Sequence, residues 1–379
     1  MFLSFGLVPG LTKKRCCVFR RKHYLRPMQF RAVVLFLAAV LAVAARAQVE
    51  TTNPPPVIPG ATVTNVESSA TNPPADGLSV PKSLKYSLLP APKNGGFTMP
   101  GYILWCSSVI KVGDTYHMFA SRWPAQYGLG GWTTYSECVR ATSTNLLGPY
   151  TFQEVVLQKR PGSWDNSRVH NVKIVKAGNK FVLFYINSAN QTGYASADDV
   201  TGPWTRLDRP VIKASNPAPF VRPDGSMYVF CRLGDSEKVN RGVAFTAPRY
   251  EGPYSVVANG DNLLPNGGEL EDPTIWWANG QYNILLNDWK AHATGTMKDG
   301  AQYFSKDGVH YTLVSHESVF TKTVPYDDGT SETFRRRERP FIYANEKGEA
   351  VALFTACMPP SEEARIVVQP ISNYYPDNK

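Results

Sequence analysis

LLGPYTF (146–152), VTGPWTRL (200–207) and YEGPYSVV (250–257) are three copies of one phrase, and a weaker fourth, DGVHYTLV, stands at 307–314. Measured from Gly148, Gly202, Gly252 and Gly308, the intervals are 54, 50 and 56 residues. A period of this length marks a repeated supersecondary unit. Upstream lies a second set of matching phrases: SSVIKVGDTYHMFAS (107–121), VKIVKAGNKFVLFYI (172–186), APFVRPDGSMYVFCR (218–232), TIWWANGQYNILLND (274–288) and PFIYANEKGEAVALFTA (340–356). Each reads as strand, tight turn, strand, because Gly113-Asp114, Gly178-Asn179, Asp224-Gly225, Asn279-Gly280 and Lys347-Gly348 are the chemistry that short hairpins need. CVRAT, GYASA, GVAFT and AQYFS follow as third strands, and the GPY phrases as fourth strands. No window carries the i, i+3, i+4 apolar spacing of a helix. Five units of four antiparallel strands predict an all-β fold, a five-bladed β-propeller spanning residues 84–375. The fifth unit ends near IVVQPISNYY without a GPY strand. LKYSLLPA (84–91) is therefore expected to return as the N-terminal strand that closes the ring and removes its exposed edge.

The flanks read differently. The first 47 residues hold nine Lys/Arg and no acid, which accounts for the whole formal charge of +9; without them 31 basic residues face 31 acidic ones. A chain balanced in this way gives no basic patch for nucleic acid. From Met28 the leader has a basic segment, an apolar run from Ala32 to Ala45 and the small-x-small site Ala45-Arg46-Ala47, the pattern of a signal peptide cut after Ala47. Met1 to Pro27 is either a long basic lead-in or an upstream start that is not used. The apolar run is shorter than the roughly 20 residues of a spanning helix, so a secreted or periplasmic protein with no membrane attachment after cleavage is expected. Residues 48–83, rich in Pro, Thr, Asn and Ser, read as a linker. Of six cysteines, Cys16 and Cys17 fall in the leader; Cys106, Cys138, Cys231 and Cys357 lie in apolar strands without CxxC spacing, which predicts buried thiols and no zinc site.

In a propeller the innermost strands begin, and the second strands end, on one face. Five strand mouths are expected to converge there: Trp105 to Ser107, His170-Asn171, Ser215-Asn216, Glu271-Asp272 and Glu338-Arg339. The strand exits Arg122-Trp123, Asn187, Arg232, Asn287 to Trp289 and Cys357 should join them. The prolines of Asn216-Pro217, Asp272-Pro273 and Arg339-Pro340 are explained by a first strand position, where a missing N–H costs least. The polar residues before them are not explained in that way, since convergent charge calls for a ligand. Trp105, Trp123, Trp132, Trp164 and Trp289 near hydrogen-bonding groups suit a carbohydrate, stacked on its CH face and bonded through its hydroxyls. Two carboxylates can cut a glycosidic bond, one as proton donor and one as base or nucleophile. In an extended strand Glu271 and Asp272 alternate, so only one faces the axis; Asp272 shares the register of Asn171, Asn216 and Arg339. Glu271, Glu338 and Asp288 compete to be its partner. His170 could orient a carboxylate, bind an axial ion or serve as the acid. Ser107, Arg122, His170, Asn171, Asn216, Arg232, Asp288, Trp289 and Arg339, with Trp105, make up the expected substrate-binding set around the catalytic candidates Asp272, Glu271 and Glu338.

HNVKI, SNPAP, LEDPTIW, ERPFIY, the GPY phrases and WCSSVIKVGDTYHMFASRW together resemble the five-bladed propeller glycoside hydrolases, family 43-like and family 117-like proteins above all. The resemblance covers residues 84–375 and implies a glycosidase with a carbohydrate substrate. It also implies an aspartate base on the first strand of blade one, a second aspartate tuning pKa and a glutamate acid. Blade one here reads Trp105-Cys106-Ser107-Ser108, so the base must come from Asp272, Glu338 or the approach-loop Asp165, or the protein binds sugar without cutting it. A phosphorylase, using Arg122, Arg232, Lys290 and Arg339 for phosphate, is the other enzymatic reading. No cofactor or metal is expected, with an axial calcium ion left open because related propellers carry one.

Overall fold

In a computed structural model the protein is described over residues 80–372, apart from 188, 235–238, 258–261 and 362. The leader and most of the linker lie outside the described residues. Blade 1 comprises β1 (Tyr102–Val112), β2 (Thr115–Pro124), β3 (Glu137–Ser143) and β4 (Thr151–Leu157). Blade 2 comprises β5 (His170–Ala177), β6 (Lys180–Ile186), β7 (Thr192–Ala197) and β8 (Thr205–Arg206). Blade 3 is built from β9 (Ser215–Val221), β10 (Met227–Gly234), β11 (Asn240–Ala247) and β12 (Ser255–Val256), and blade 4 from β13 (Leu270–Ala278), β14 (Gln281–Asp288), β15 (Gly300–Ser305) and β16 (Thr312–Leu313). A small hairpin, β17 (Thr323–Pro325) and β18 (Ser331–Thr333), precedes blade 5, which holds β19 (Arg336–Ala344), β20 (Ala350–Met358) and β21 (Arg365–Pro370). Every blade is an antiparallel meander in chain order. The first strands β1, β5, β9, β13 and β19 adjoin one another in a closed circle around the axis.

The GPY phrase has a packing explanation. Its glycines, Gly148, Gly202 and Gly252, sit at φ of 86°, 96° and 97°, where a Cβ is disfavoured, and each following Gly-Pro bond is cis. In the first two copies the aromatic residue two positions on reaches one blade back, and Tyr311 does the same in the weaker fourth copy. Tyr150 meets Phe354 edge-on, Trp204 meets Phe119, and Tyr311 meets Phe230, with ring centroids 6.4, 5.6 and 5.4 Å apart. These blade-to-blade interfaces carry their own apolar clusters, for example Leu183, Tyr185 and Phe119 between blades 1 and 2, and Phe230, Ile284 and Leu286 between blades 3 and 4. Among the described residues no single central core forms, since the axis itself is lined by polar and channel-facing residues.

Closure runs through the N-terminal segment, as expected, with a change of detail. Leu84–Tyr86 forms a 3-10 turn and not a strand. The segment then pairs with the last strand of blade 5 and its end at two separate bridges, Leu88 with Ile371 and Phe97 with Ile366, and so stands in for the fourth strand of that blade. Phe97 is buried in the cluster shared by blades 1 and 5, so the ring is sealed by one N-terminal side chain as well as by backbone. Phe97→Ala should therefore lower the unfolding free energy by about 3 to 5 kcal/mol, the usual cost of emptying a buried Phe site. A denaturant titration that moves the midpoint by less than a quarter of that would show that closure does not depend on this contact.

Candidate active site

Five residues in one register position, one per blade, take a left-handed backbone: Cys106 at φ 55°, Asn171 at 55°, Asn216 at 52°, Asp272 at 58° and Arg339 at 61°. In every blade the pairing between the first and second strands skips at this point, between Trp105 and Ser108, His170 and Lys173, Glu271 and Thr274, Glu338 and Phe341, and opposite Phe230 to Arg232 in blade 3. These are β-bulges, which leave residues unpaired and re-aim their side chains. The prolines Pro217, Pro273 and Pro340 belong to the bulges. They stand two to four positions inside β9, β13 and β19, not at the first strand position, and the residue before each is left-handed where an extended one was expected. An N–H missing inside a bulge costs no ladder bond.

The five side chains bond to one another across the axis. Cys106 Sγ donates to Asn171 Oδ1 at 2.8 Å, Asn171 Nδ2 to Asn216 Oδ1 at 2.8 Å, and Asn216 Nδ2 to Asp272 Oδ1 at 2.6 Å. Arg339 Nη1 closes the circuit, donating to Asp272 Oδ1 and, at 2.7 Å, to Asn171 Oδ1. Asn216 Nδ2 also donates to Glu271 Oε2 at 3.1 Å. The bulge thus brings Glu271 and Asp272 to one amide group, where an extended strand would have sent them to opposite sides. Arg232 holds the other Glu271 oxygen and is itself fixed to Ser215 Oγ at 3.1 Å.

Glu338 precedes Arg339 on β19 and interacts electrostatically with Arg339 and Asp272. Its Oε1 accepts from Arg336 Nη1 at 2.9 Å and Lys298 Nζ at 3.5 Å, and among the described residues nothing binds its Oε2. Side-chain exposure falls from Arg336 (34%) and Lys298 (21%) through Arg232 (17%) and Glu271 (12%) to Glu338 (9%) and Asp272 (3%), which is a gradient from rim to floor. Burial pushes the Asp272 carboxyl well above the ordinary carboxylate range; Arg339 pulls it back, and the nearby Glu271 and Glu338 add to the rise. Asp272 Oδ2 is buried without a hydrogen-bond partner.

His170 is almost fully buried under Trp123 and Trp132, at centroid distances of 5.8 and 4.8 Å. Ser136 Oγ spends its proton on Val169 O at 2.9 Å and so accepts from His170 Nδ1 at 2.9 Å, which leaves Nε2 as the lone-pair nitrogen facing Cys106 Sγ at 3.6 Å. Burial, Arg339 and Arg168 hold its pKa well below the usual histidine value, so the ring is neutral and is not an acid near neutral pH. The Cys106 thiol, pushed up to about 12 by burial, cannot act as the absent blade-one base.

Several expected groups lie elsewhere. Trp105 and Trp123 are core residues in edge contact with each other, and Ser107 is fully buried beside them. Arg122 is bound to Glu137 at 2.9 Å and covers Tyr102, away from the carboxylates. Both Asp288 oxygens cap the loop after β14 through His292, Ala293 and Thr294. Asp165 is fully buried among Arg160, Arg206 and Tyr185 in blade 2, and Trp164 stacks there on Tyr185. Of the four cations of the phosphorylase reading, Arg122, Arg232 and Arg339 are each held by a carboxylate, while Lys290 is exposed in the loop after β14. Trp289 and Trp132 are half-buried, under Lys298 and Arg168 respectively. Cys106 completes the axial register although its residue type carries no polar signal, and Lys298 and Arg336 carry no register signal at all.

No family model matches the chain, and no curated protein matches it in sequence. Solved structures do match in fold. The RS223 β-xylosidase has a TM-score of 0.55 at 12% identity, over 74% of this protein and 95% of that one. Zg3597, a family 117 glycoside hydrolase from the marine bacterium Zobellia galactanivorans, gives 0.54 at 13% over 75% and 89%. A thermostable family-43 glycoside hydrolase gives 0.52 at 12% over 75% and 98%. The protein therefore has the five-bladed propeller fold of glycoside hydrolases of families 117 and 43.

The raised Asp272 carboxyl has a measurable consequence. A group that binds its proton more tightly when folded stabilises the fold below its unfolded pKa, near 4, and that contribution is lost as pH rises toward the folded value. His170, whose pKa is depressed, acts with the opposite sign, so a single pH curve mixes the two. Asp272→Asn isolates the first: the variant should gain stability relative to the native protein from pH 4 to 8 in urea titrations. A difference that stays flat over that range would show an ordinary carboxylate.

Proposed function

We propose that the protein is an exported glycoside hydrolase in which Asp272 is the proton donor and Glu338 the base or nucleophile. The observation that carries this reading is the Asp272 carboxyl itself. Oδ1 takes all of its hydrogen bonds, while Oδ2 is buried at the axis without a hydrogen-bond partner, free to carry a retained proton. A donor of this kind needs a carboxyl held protonated near neutral pH, and burial supplies that. Glu338, ion-paired through Oε1 to Lys298 and Arg336, keeps Oε2 ready to take a proton from water or to attack the anomeric carbon.

Glu271 has a supporting role in this scheme, since both its oxygens are taken, by Arg232 and Asn216. It fixes the amide that in turn fixes Asp272. Arg339 brings its own positive charge to the axis, and the reading therefore assigns no resident metal or cofactor. Trp289, half-buried with Lys298 over one face, offers its other face for sugar stacking, and the rim cations Lys298 and Arg336 stand nearest to solvent to meet hydroxyls. The basic leader and the Ala45-Arg46-Ala47 site support export of the working protein.

The test is a screen of the protein against plant and algal oligosaccharides, followed by kinetics on whichever is cut. Asp272→Asn and Glu338→Gln should each lower kcat by about 100-fold or more, the scale of general acid–base catalysis. Trp289→Ala should raise KM with kcat little changed. Saturable binding of an oligosaccharide without turnover in the native protein would contradict hydrolysis and identify a non-catalytic glycan-binding propeller instead.

A further inference from the structure

A roomy cavity lies away from the carboxylates. It opens on the opposite face, a channel of about 1100 Å³ between the far halves of the five first strands. The axial ring of Cys106, Asn171, Asn216, Asp272 and Arg339 separates the two faces. Two residues further along each strand stand Ser108, Lys173, Ala218, Thr274 and Phe341. Ser108 and Thr274 spend their hydroxyl oxygens on the backbone N–H groups of Ile174 and Ile342, at 3.0 and 3.2 Å, and Ala218 is short. Lys173 is thereby free to cross the axis from blade 2 to blade 5. Its Nζ has Pro340 O at 3.5 Å, the outer limit of a hydrogen bond, and the Phe341 ring at 5.2 Å.

This ammonium is nine-tenths buried, with three protons to donate and one marginal acceptor. Among the described residues no carboxylate pairs with it. Burial holds its pKa down to about 8, with Cys106 and Asp272 opposing the fall and Arg339 adding to it. The channel walls carry three more lysines, Lys111, Lys176 and Lys347, against a single acid, Glu346. Phe220 and Trp277 stand on the same wall with rings 6.4 Å apart and 23° from parallel, and Trp277 is held edge-on by Tyr282 while remaining exposed. A buried cation at the blind end and a fixed aromatic wall on the way in match a ring that has one flat CH face and one carboxylate.

We propose that this channel is a second binding site, taking a carboxylate-bearing sugar with its carboxylate on Lys173 and its ring against Phe220 and Trp277. The site is on the other side of the axial ring from Asp272 and Glu338, and it stands whether or not those residues hydrolyse anything. Calorimetric titration of the full chain with glucuronate, glucose, acetate and inorganic phosphate tests it. Glucuronate should bind saturably and glucose at least about tenfold more weakly, the value of a charge-assisted hydrogen bond. Lys173→Met should lose about tenfold or more in glucuronate affinity. Trp277→Ala, at the exposed wall, should lose about threefold to tenfold for glucuronate and nothing for acetate. Binding should persist in Glu338→Gln, on the opposite face. Equal affinity for acetate, phosphate and glucuronate, with Trp277→Ala silent, would overturn the sugar assignment. Absence of saturable glucuronate binding, or binding undiminished in both channel variants, would overturn the site.

Discussion

The five left-handed bulge residues at the axis are the constraint on which the rest depends. A non-glycine residue held at positive φ costs of order 1 to 3 kcal/mol unless its surroundings fix it. Asn and Asp tolerate the conformation best, and three of the five positions use them. Cys106 and Arg339 are the exceptions, and both are bonded into the ring, Cys106 to Asn171 and Arg339 to Asn171 and Asp272. Asn171, Asn216, Asp272 and Arg339 therefore form a closed circuit with Cys106 attached to it through Asn171, and displacing any blade breaks a buried polar bond. The ring also separates two faces of the axis with different chemistry, carboxylates and cations on one side and a channel with lysines and aromatic walls on the other.

Electrostatics follows from that division. Asp272, Glu271 and Glu338 gather around one guanidinium, so the site carries more negative than positive charge at its floor and recovers balance only at the rim, through Arg232, Lys298 and Arg336. Buried pairs of this kind are weak contributors to stability, because desolvation offsets most of the attraction. They are effective at setting protonation states. Burial, reinforced by the negative charge of Glu271 and Glu338, is what favours a proton on the deepest carboxyl.

The fold was legible from the spacing of Gly148, Gly202, Gly252 and Gly308, because each blade repeats one solution to the same packing problem. The register was legible too: His170-Asn171, Ser215-Asn216, Glu271-Asp272 and Glu338-Arg339 do converge. The local backbone was not. A strand of period 2 predicts that Glu271 and Asp272 point apart, and only a bulge, which no residue type announces, brings them to the same Asn216 amide. Asp288 shows the converse error. Its position at a strand exit was right, yet the loop that follows offers it three N–H donors, and long-loop geometry is not written in a repeat. Trp105 and Trp123 failed for a third reason, since an aromatic residue beside a site and one beneath it have the same sequence context. Cys106 was visible as a missing aspartate before it was visible as the fifth member of a ring.

The central claim is that the Asp272 carboxyl, unpaired at Oδ2, keeps its proton near neutral pH. Carboxyl ¹³C NMR, with the Asp272 signal assigned by comparison with Asp272→Asn, reads this directly in the folded native protein. The account predicts a titration midpoint well above the ordinary aspartate value of about 4. A midpoint at or below that value would show that Arg339 keeps the carboxylate ionised, and the assignment of Asp272 as proton donor would fall.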